Sequence, residues 1–573
     1  MKPFFSFFSI TISLMFATLA IAQPANLSDR YIFTPVQAKQ GMVVTAEKIA
    51  TQVGVEILQK GGNAIDAAVA IGFVMAVTYP QAGNIGGGGF MLFYSSKTTE
   101  ILAIDYREKA PAKATRDMFL DKEGNVDLGL SRLSYLSAGV PATVAGMAMA
   151  LEKYGTLSLA EALAPAIKLA EEGFIIPLAL SDSLKKKAKR LRKYPATAAI
   201  FFKPNGRFYE AGDRLVQTDL ANTLKAIAKK GIRAFYKGEI ADLIVSDMET
   251  HGGLITKADL ANYQPVLRKP IHGTYRGYDI YSMSPPSSGG IHIVQILNIL
   301  ENDNIGSLGH NSASTIHLMS EAMKRAYADR SKYLGDTDFV KVPLAGLTSK
   351  AYAAKLSQQI NPLKASVSQD ILPGKPTRYE SNETTHYSVV DKEGNAVSNT
   401  YTLNFGFGSG IVVKGTGFLL NNEMDDFSAK PGVPNAYGLI GGDANAIEPN
   451  KRMLSSMSPT IVLKNNKPFL VTGSPGGSRI ITTTLQVIMN VIDHNMNIQE
   501  AVNAIRVHHQ WFPDEIRVED GLNVNTVKLL TEMGHQVVVK KPMGAASSIL
   551  SDQENNLLYG ASDSRRQGMA LGY

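Results

Sequence analysis

The stretch NETTHYSVVD, residues 382–391, decides the fold prediction for this chain. From Thr384 onward, its β-branched and aromatic residues are typical of a strand. A strand that opens on a threonine has a chemical use, because a threonine hydroxyl is a weak nucleophile until a base removes its proton. Cleavage of the Glu383–Thr384 bond would free the α-amine of Thr384 to act as that base. The stretch therefore predicts a precursor that is cut in two and then performs amide cleavage or acyl transfer.

Other interpretations of the same stretch stay open at this point. By propensity alone Thr384 is one more β-branched strand residue, and Asn382-Glu383-Thr384 also fits the N-glycosylation triplet. His386 shares a strand face with Thr384 and could serve as its base. Strand side chains two residues apart run parallel rather than toward each other, so we favour the α-amine.

The surrounding sequence predicts helices layered over β-hairpins. Alternation indicates strands at 386–391 and 396–403 around the turn 392–395, and a second pair at 459–463 and 469–472 around Asn465-Asn466. An apolar helix is expected from 478 to 493. Hairpins flanked by helices favour a layered α/β sandwich.

The N-terminal third adds two helices and a strand pair to this prediction. Helical spacing over 47–60 stops at Gly61-Gly62, and Asn63 is expected to cap an all-apolar, buried helix that runs through Val77. Strands are expected at 90–94 and 101–106. Residues 140–360 alternate helical stretches with turns, and strand signals are sparse there.

Composition and the chain ends limit the class of protein. The 573 residues are 45% hydrophobic and include no cysteine, which excludes disulfides, thiolate metal sites and thiol nucleophiles. Residues 4–21 are nearly all apolar and lead to Ala20-Ile21-Ala22, which predicts an export signal cleaved before Gln23, with a membrane anchor as the alternative. The net charge is +7, partly from the basic run 185–193, for which we favour a solvated helix face over a nucleic-acid patch.

Polar residues downstream of Thr384 suggest a site. Thr400 and Thr402 are on the partner strand, where a threonine could hydrogen-bond the Thr384 hydroxyl, and Asn404 follows on the same face as Thr402. The acidic cluster NNEMDDF, residues 421–427, could hold a substrate ammonium group. A calcium loop and a solvated turn are the alternatives, although the regular ligand spacing of a calcium loop is missing.

Three further groups complete the candidate set. The hydroxyls of Ser455 and Ser456 could orient a carboxylate, and Arg107 could bind one with its guanidinium fork unless it forms only a surface ion pair. The glycine-rich turn 473–479 leads from a strand into a helix, so its N–H groups could stabilise an oxyanion. We prefer this to phosphate binding, because the turn lacks the Gly-Lys-Ser/Thr ending of a phosphate loop. His508-His509 lack further ligands at metal spacing and are interpreted as structural.

Taken together, residues 384–391, 421–428, 431–445, 454–459 and 473–479 closely resemble the motifs of bacterial γ-glutamyltransferases, which are N-terminal-nucleophile hydrolases. The resemblance extends from Val43 to the C-terminus. It implies an αββα sandwich built jointly by two subunits, 23–383 and 384–573, after loss of the signal peptide 1–22. It also implies a periplasmic enzyme that needs no metal or cofactor and binds neither nucleic acid nor, once the signal is removed, a membrane.

The resemblance further implies an activity and assigns roles by motif position. The precursor would cut itself between Glu383 and Thr384, and Thr384 would then attack the γ-amide of glutathione or related compounds and pass the γ-glutamyl group to water, an amino acid or a dipeptide. The implied roles are α-carboxylate binding by Arg107, Ser455 and Ser456, α-ammonium binding by Asn404, Glu423 and Asp426, oxyanion stabilisation by Gly476 and Gly477, tuning of Thr384 by Thr402, and a lid, 431–445, that carries Tyr437.

Competing functions remain at this stage. A β-lactam acylase of the same superfamily, specific for glutaryl side chains, would not need the ammonium-binding residues. An uncut chain could instead be a γ-glutamyl-binding protein. A nucleotide-binding protein would need a phosphate-contacting lysine, which neither the 86–89 nor the 473–477 glycine loop has.

Overall fold

The computed structural model describes residues 33–372, 384–433 and 438–573. The predicted signal peptide 1–22, Glu383 of the predicted cleavage site and Tyr437 of the predicted lid lie outside the described residues. Within the described ranges, none of the helices combines the length and apolar character that a membrane crossing needs.

Two seven-stranded antiparallel sheets form the centre of the described structure. Sheet I contains, in spatial order, Val36–Ala38, Leu557–Ser562, Ser547–Asp552, Lys467–Thr472, Thr460–Lys464, Tyr278–Ser282 and Ile271–Tyr275. Sheet II contains Met569–Gly572, Met42–Thr45, Thr385–Val390, Ala396–Thr402, Gly88–Ser95, Glu100–Tyr106 and Val266–Arg268. Each sheet mixes strands from both sides of Thr384, so a cut there would leave two chains that share both sheets.

The sheets pack face to face and are covered by helices on their outer sides. Between them lies an apolar core in which Phe90 and Leu92 of sheet II meet Ile461 and Val471 of sheet I. Side chains alternate across each strand, so the neighbouring residues, such as Met91, point to the helices instead. This confirms the predicted four-layer αββα arrangement.

Helices on the outside of sheet II include the two predicted from the N-terminal sequence. The first, Lys48–Gln59, is capped by Glu47, and the second, Ala64–Thr78, is buried along its whole length. Asn63 caps the second helix in a reciprocal capping box with Asp66, which satisfies two backbone donors at the helix start. The α-helices that follow in the chain, up to the strand Val266–Arg268, are Leu128–Leu133, Thr143–Tyr154, Leu159–Glu172, Leu178–Leu191, Pro195–Phe201, Thr218–Lys230, Arg233–Tyr236, Glu239–His251 and Lys257–Ala261.

Helices on the outside of sheet I belong to both halves of the chain. Gly289–Leu300, Ala313–Tyr333 and Arg479–Ile492 share one apolar core with this sheet. The shorter helices are Ile305–Leu308, Leu344–Leu347, Lys350–Ser357, Ile498–Asn503 and Val524–Glu532, with 3₁₀ turns at Tyr135–Ser137, Ser368–Asp370, Glu423–Asp426 and Asp443–Asn445. Two minor sheets pair Phe174–Ile175 with Arg214–Leu215, and Val507–His508 with Ile516–Glu519 and Val537–Lys540.

Both predicted hairpins are confirmed, and the first of them positions the nucleophile candidate. Thr385 pairs with Tyr401 across the hairpin, so Thr384 is placed opposite Thr402 at the open end of sheet II. In the second hairpin, Asn465 and Asn466 both adopt positive φ angles, as a two-residue turn between strands requires.

Candidate active site

A small cavity collects almost all of the predicted site residues at one end of the two sheets. Its volume is about 20 Å³, enough for roughly one water molecule. The structure thus brings together side chains that are up to about 370 positions apart in sequence. The cavity is lined by Arg107, Arg330, Thr384, Thr402, Asn404, Glu423, Asp426, Leu439, Leu454, Ser455, Ser456, Met457, Gly477 and Ile480.

Thr384 lies buried at this cavity, immediately before its strand begins. Its Oγ1 donates a hydrogen bond of 3.4 Å to Oγ1 of Thr402, which also accepts one of 2.8 Å from the backbone N–H of Asn404. The carbonyl oxygen of Thr384 accepts a bond from the guanidinium of Arg566, 3.2 Å away. Hydrogen bonds to both its hydroxyl and its backbone carbonyl therefore fix the position of Thr384.

Arg107 directly follows the strand Glu100–Tyr106 and is fully buried, so the surface ion-pair interpretation is wrong. Its two terminal nitrogens lie 2.6 Å from Oε2 of Glu423 and 2.5 Å from Oδ2 of Asp426. Its Nε donates to the carbonyl of Met453 at 3.3 Å, which fixes the plane of the guanidinium group. The residue predicted to bind a carboxylate therefore already lies between the two acids predicted to bind an ammonium group.

The acidic turn is a buried 3₁₀ helix, Glu423–Asp426, so the solvated-turn interpretation is wrong as well. Asn421 fixes this turn: its Oδ1 accepts from the N–H groups of Gly139 and Glu423, and its Nδ2 donates to the carbonyls of Gly86 and Gly139. Asn404 is joined to the same turn through a bond from its Nδ2 to the carbonyl of Asn422.

Burial and charge shift the pKa values of these groups in opposite directions. Burial alone lowers the pKa of Arg107, but the nearby carboxylates of Glu423, Glu108 and Asp426 outweigh it, and the net shift is upward. Burial raises the pKa of Glu423 well above its usual value and raises that of Asp426, in both cases against the pull of Arg107. Burial also raises the pKa of Glu108, behind Arg107, to about 7. Arg107 is thus firmly charged among acids whose pKa values are raised by burial.

Ser455 and Ser456 form part of the cavity wall beside Arg330, a residue that the sequence did not single out. Arg330 lies in the helix Ala313–Tyr333, and its guanidinium donates to Oγ of Ser288 at 3.1 Å and to Oγ of Ser456 at 3.4 Å. Burial lowers the pKa of Arg330 to about 10, so it remains charged near neutral pH. This wall therefore offers a second cation together with hydroxyl groups.

The glycine turn 473–479 connects the strand Lys467–Thr472 to the helix Arg479–Ile492. Gly476 and Gly477 adopt positive φ angles of 139° and 59°, which glycine tolerates better than other residues. Gly477 lines the cavity, whereas Gly476 lies next to it in the turn. Among the described residues, no acceptor takes a hydrogen bond from the N–H of Gly477, so this donor is available to a ligand at the helix start.

His386 and His508 do not fit the role of a base. Nδ1 of His386 lies 2.8 Å from Oγ1 of Thr400 and its Nε2 lies 3.1 Å from Oγ of Ser388, and burial lowers its pKa to about 3. His508 is likewise buried, with a pKa lowered to about 3 mainly by burial. Both therefore take part in neutral hydrogen bonds within the core, in agreement with the structural interpretation of His508.

One buried group elsewhere has the composition of a metal site. His317, Glu321 and His535 place potential ligand atoms within 4.8 Å of one another. The Glu321 carboxylate, however, already pairs with Lys324 at 3.0 Å and with Arg325 at 2.8 Å. Because these two cations would repel a metal ion, we assign none to this group.

Comparison with known proteins agrees with this geometry. The family model described as gamma-glutamyltranspeptidase matches residues 50–573. The chain belongs to the γ-glutamyltranspeptidase family. A protein of Escherichia coli (strain K12) named glutathione hydrolase proenzyme is 59% identical over 535 residues, which cover 93% of this chain and 92% of that protein.

Solved structures extend the comparison to the fold. The crystal structure of cephalosporin acylase from Bacillus halodurans superposes with a TM-score of 0.85 at 30% identity and covers 96% of this chain and 99% of that one. The Helicobacter pylori γ-glutamyltranspeptidase matches at 52% identity with a TM-score of 0.56, covering 57% of this chain and 94% of the solved chain. The predicted family, fold class and enzyme class are thereby confirmed.

Proposed function

We propose that this member of the family is an exported proenzyme that cuts itself before Thr384 and then hydrolyses and transfers γ-glutamyl groups. Its signal peptide would be 1–22, its subunits 23–383 and 384–573, and its location the periplasm. Glutathione and related γ-glutamyl compounds would be the donors, and water, amino acids or dipeptides the acceptors. The observation that carries the proposal is a buried threonine beside one arginine held between two carboxylates.

Self-cleavage would begin with attack of the Thr384 hydroxyl on the main-chain carbonyl carbon of Glu383. The peptide C–N bond breaks, the nitrogen takes up the hydroxyl proton, and an ester joins Glu383 to the threonine oxygen. Water then hydrolyses this ester, which leaves a carboxylate at Glu383 and restores the hydroxyl of Thr384. The free α-amine, with a reference pKa near 8, is a base suited to neutral pH.

A bound substrate would replace the pairing of Arg107 with Glu423 and Asp426. A γ-glutamyl group carries an α-carboxylate and an α-ammonium group, and the cavity offers a matching cation and acids. The carboxylate would bind Arg107 with help from Ser455 and Ser456, and the ammonium group would bind Asn404, Glu423 and Asp426. Because the ammonium charge favours ionised acids, binding would lower the raised pKa values of Glu423 and Asp426.

Catalysis would then repeat the chemistry of self-cleavage on the γ-amide. The α-amine of Thr384 takes the proton from the Thr384 hydroxyl, the oxygen attacks the γ-carbonyl carbon, and the N–H groups of Gly476 and Gly477 stabilise the oxyanion. The amide C–N bond breaks as the departing nitrogen receives the proton. Water or an acceptor amine then attacks the γ-glutamyl ester and releases Thr384.

The cavity must widen before a substrate enters. Its volume of about 20 Å³ holds roughly one water molecule, far less than a γ-glutamyl group needs. Leu439, within the predicted lid 431–445, contributes to the cavity wall and is a candidate for the part that moves. A lid that closes again over the bound acyl group would exclude water and favour transfer over hydrolysis.

Acylase activity on glutaryl side chains is the second candidate, because the similar Bacillus halodurans structure is that of a cephalosporin acylase. A glutaryl group lacks the α-ammonium group, so Glu423 and Asp426 would face it without a cation to bind. We therefore expect release of nitroaniline from γ-glutamyl-p-nitroanilide and little or none from glutaryl-p-nitroanilide. Thr384→Ala should abolish the activity. Faster turnover of the glutaryl compound would favour the acylase function.

A further inference from the structure

A second, larger cavity lies beside the catalytic cavity and is lined largely by cations. It has a volume of about 680 Å³, and we call it the lysine groove. Its apolar floor includes Tyr194 and Phe405. Its cationic residues are Arg132, Lys186, Lys187, Lys189, Arg190 and Lys193.

The spacing of these cations follows from one helix. On the helix Leu178–Leu191, continued to residue 193, positions 186, 189, 190 and 193 lie on one face. The buried side chains of this helix include Leu180, Leu184 and Leu191, which face the core. Lys186, Lys189 and Lys193 are exposed, and in the described part of the chain no carboxylate pairs with their ammonium groups. Arg132 pairs with Asp425, but among the described residues no acid lines the groove itself, so Lys186, Lys189 and Lys193 are its exposed positive charges.

Consecutive residues of one loop line the catalytic cavity and the groove. Asn404 lines the cavity and the next residue, Phe405, lines the groove. Arg190 donates to the carbonyl of Gly406 in the same loop. Arg132 donates from Nε to Oδ1 of Asp425 at 3.0 Å, next to a cavity residue. Two cations of the groove therefore hold the loops that carry the ammonium-binding residues.

We propose that the lysine groove binds carboxylates carried by the substrate beyond its γ-amide bond, so that the enzyme prefers acidic γ-glutamyl peptides to neutral ones. The inference rests on the proposed function. The γ-glutamyl half fills the catalytic cavity, and the remainder of the substrate must lie outside it, where the groove is adjacent. Transfer to an acceptor is the reverse of acylation by a donor, so acidic acceptors occupy the same groove.

The test compares two peptides that differ only in charge, γ-Glu-Asp-Asp and γ-Glu-Asn-Asn. Exposed ion pairs contribute little individually, so we expect the wild type to favour the acidic peptide by about 3- to 20-fold in kcat/KM at low salt. The preference should shrink at about 0.5 M salt because exposed charges are screened. The triple variant Lys186→Ala/Lys189→Ala/Lys193→Ala should lose it, and the corresponding triple arginine variant should keep it.

Two controls separate the possible failures. The variant Lys168→Ala/Lys229→Ala/Lys237→Ala removes the same charge from exposed sites elsewhere and should keep the preference. γ-Glutamyl-p-nitroanilide, which carries no carboxylate beyond the scissile bond, should be turned over equally by all of these proteins. If the wild type did not turn over γ-glutamyl-p-nitroanilide, the proposed function would be overturned, and this inference with it. Two results with normal anilide turnover would overturn the inference alone. One is a wild type without preference for the acidic peptide, and the other is a triple alanine variant that keeps this preference.

Discussion

Replacing Arg107 by lysine keeps the positive charge but removes the planar fork that lies between Glu423 and Asp426. In the structure, the two terminal nitrogens of Arg107 bond in different directions, at 2.6 and 2.5 Å. A lysine can supply one of these directions but not both. The loss of one charge-assisted hydrogen bond to a bound α-carboxylate costs about 1.5–3 kcal/mol, which corresponds to a decrease of about 10- to 150-fold in kcat/KM.

The separate effects on KM and kcat test the role of Arg107 more closely. Arg107 would hold the α-carboxylate equally in the ground and transition states, so the decrease should appear mainly as a higher KM with kcat little changed. The assay is steady-state hydrolysis of γ-glutamyl-p-nitroanilide, with N-terminal sequencing to show that the variant is still cut before Thr384. Arg116→Lys is the matched control, because Arg116 is half-exposed and pairs with Asp443 at the surface. A kcat/KM for Arg107→Lys within twofold of the wild type would refute the carboxylate-binding role.

Three other expectations follow from the site. Thr402→Val removes the acceptor of the Thr384 hydroxyl and should slow self-cleavage by about tenfold, whereas Thr402→Ser should be near wild type by gel-based time course. Deletion of 431–442 should shift the products from transfer toward hydrolysis, as measured by chromatography with a dipeptide acceptor; an unchanged ratio would count against a water-excluding lid. Burial raises the pKa of Glu108 from 4.5 to about 7, so the folded state binds a proton that the unfolded chain releases, and stability falls as the pH rises from about 4.5 through 7. Glu108→Gln in uncut Thr384→Ala protein should match its parent near pH 4.5 and exceed it above pH 7, by up to about 3 kcal/mol in urea unfolding; equal stabilities at pH 8 would contradict the shift.

The sequence predicted those elements whose pattern is strong and local. The all-apolar run after Asn63 could only be a buried helix, and the hairpin around residues 392–395 combines alternation with a glycine turn. The strands Ile271–Tyr275 and Tyr278–Ser282 were not predicted, because their polar residues mask the alternation. Ile271–Tyr275 pairs with Tyr278–Ser282, which in turn pairs with Thr460–Lys464, a contact that no local pattern encodes.

Some residues of the site could be predicted from the sequence, and others could not. Thr384, Arg107 and the acidic turn could be selected from the sequence because motif resemblance adds information that propensity lacks. Arg330 could not, since an arginine inside the polar helix Ala313–Tyr333 resembles an exposed residue until tertiary packing buries it. The pairing of Arg107 with Glu423 and Asp426 joins residues more than 300 positions apart, so it depends on the closed sandwich.

The central claim is that the Thr384 hydroxyl cuts the chain and then becomes the nucleophile. The most direct measurement is a denaturing gel with N-terminal sequencing of the purified wild type beside Thr384→Ala, both lacking residues 1–22. We expect two wild-type bands, the smaller beginning Thr-Thr-His-Tyr, and a single full-length band for Thr384→Ala. A single uncut wild-type band with full γ-glutamyl-anilide activity, or a Thr384→Ala protein cut at the same bond, would contradict the account.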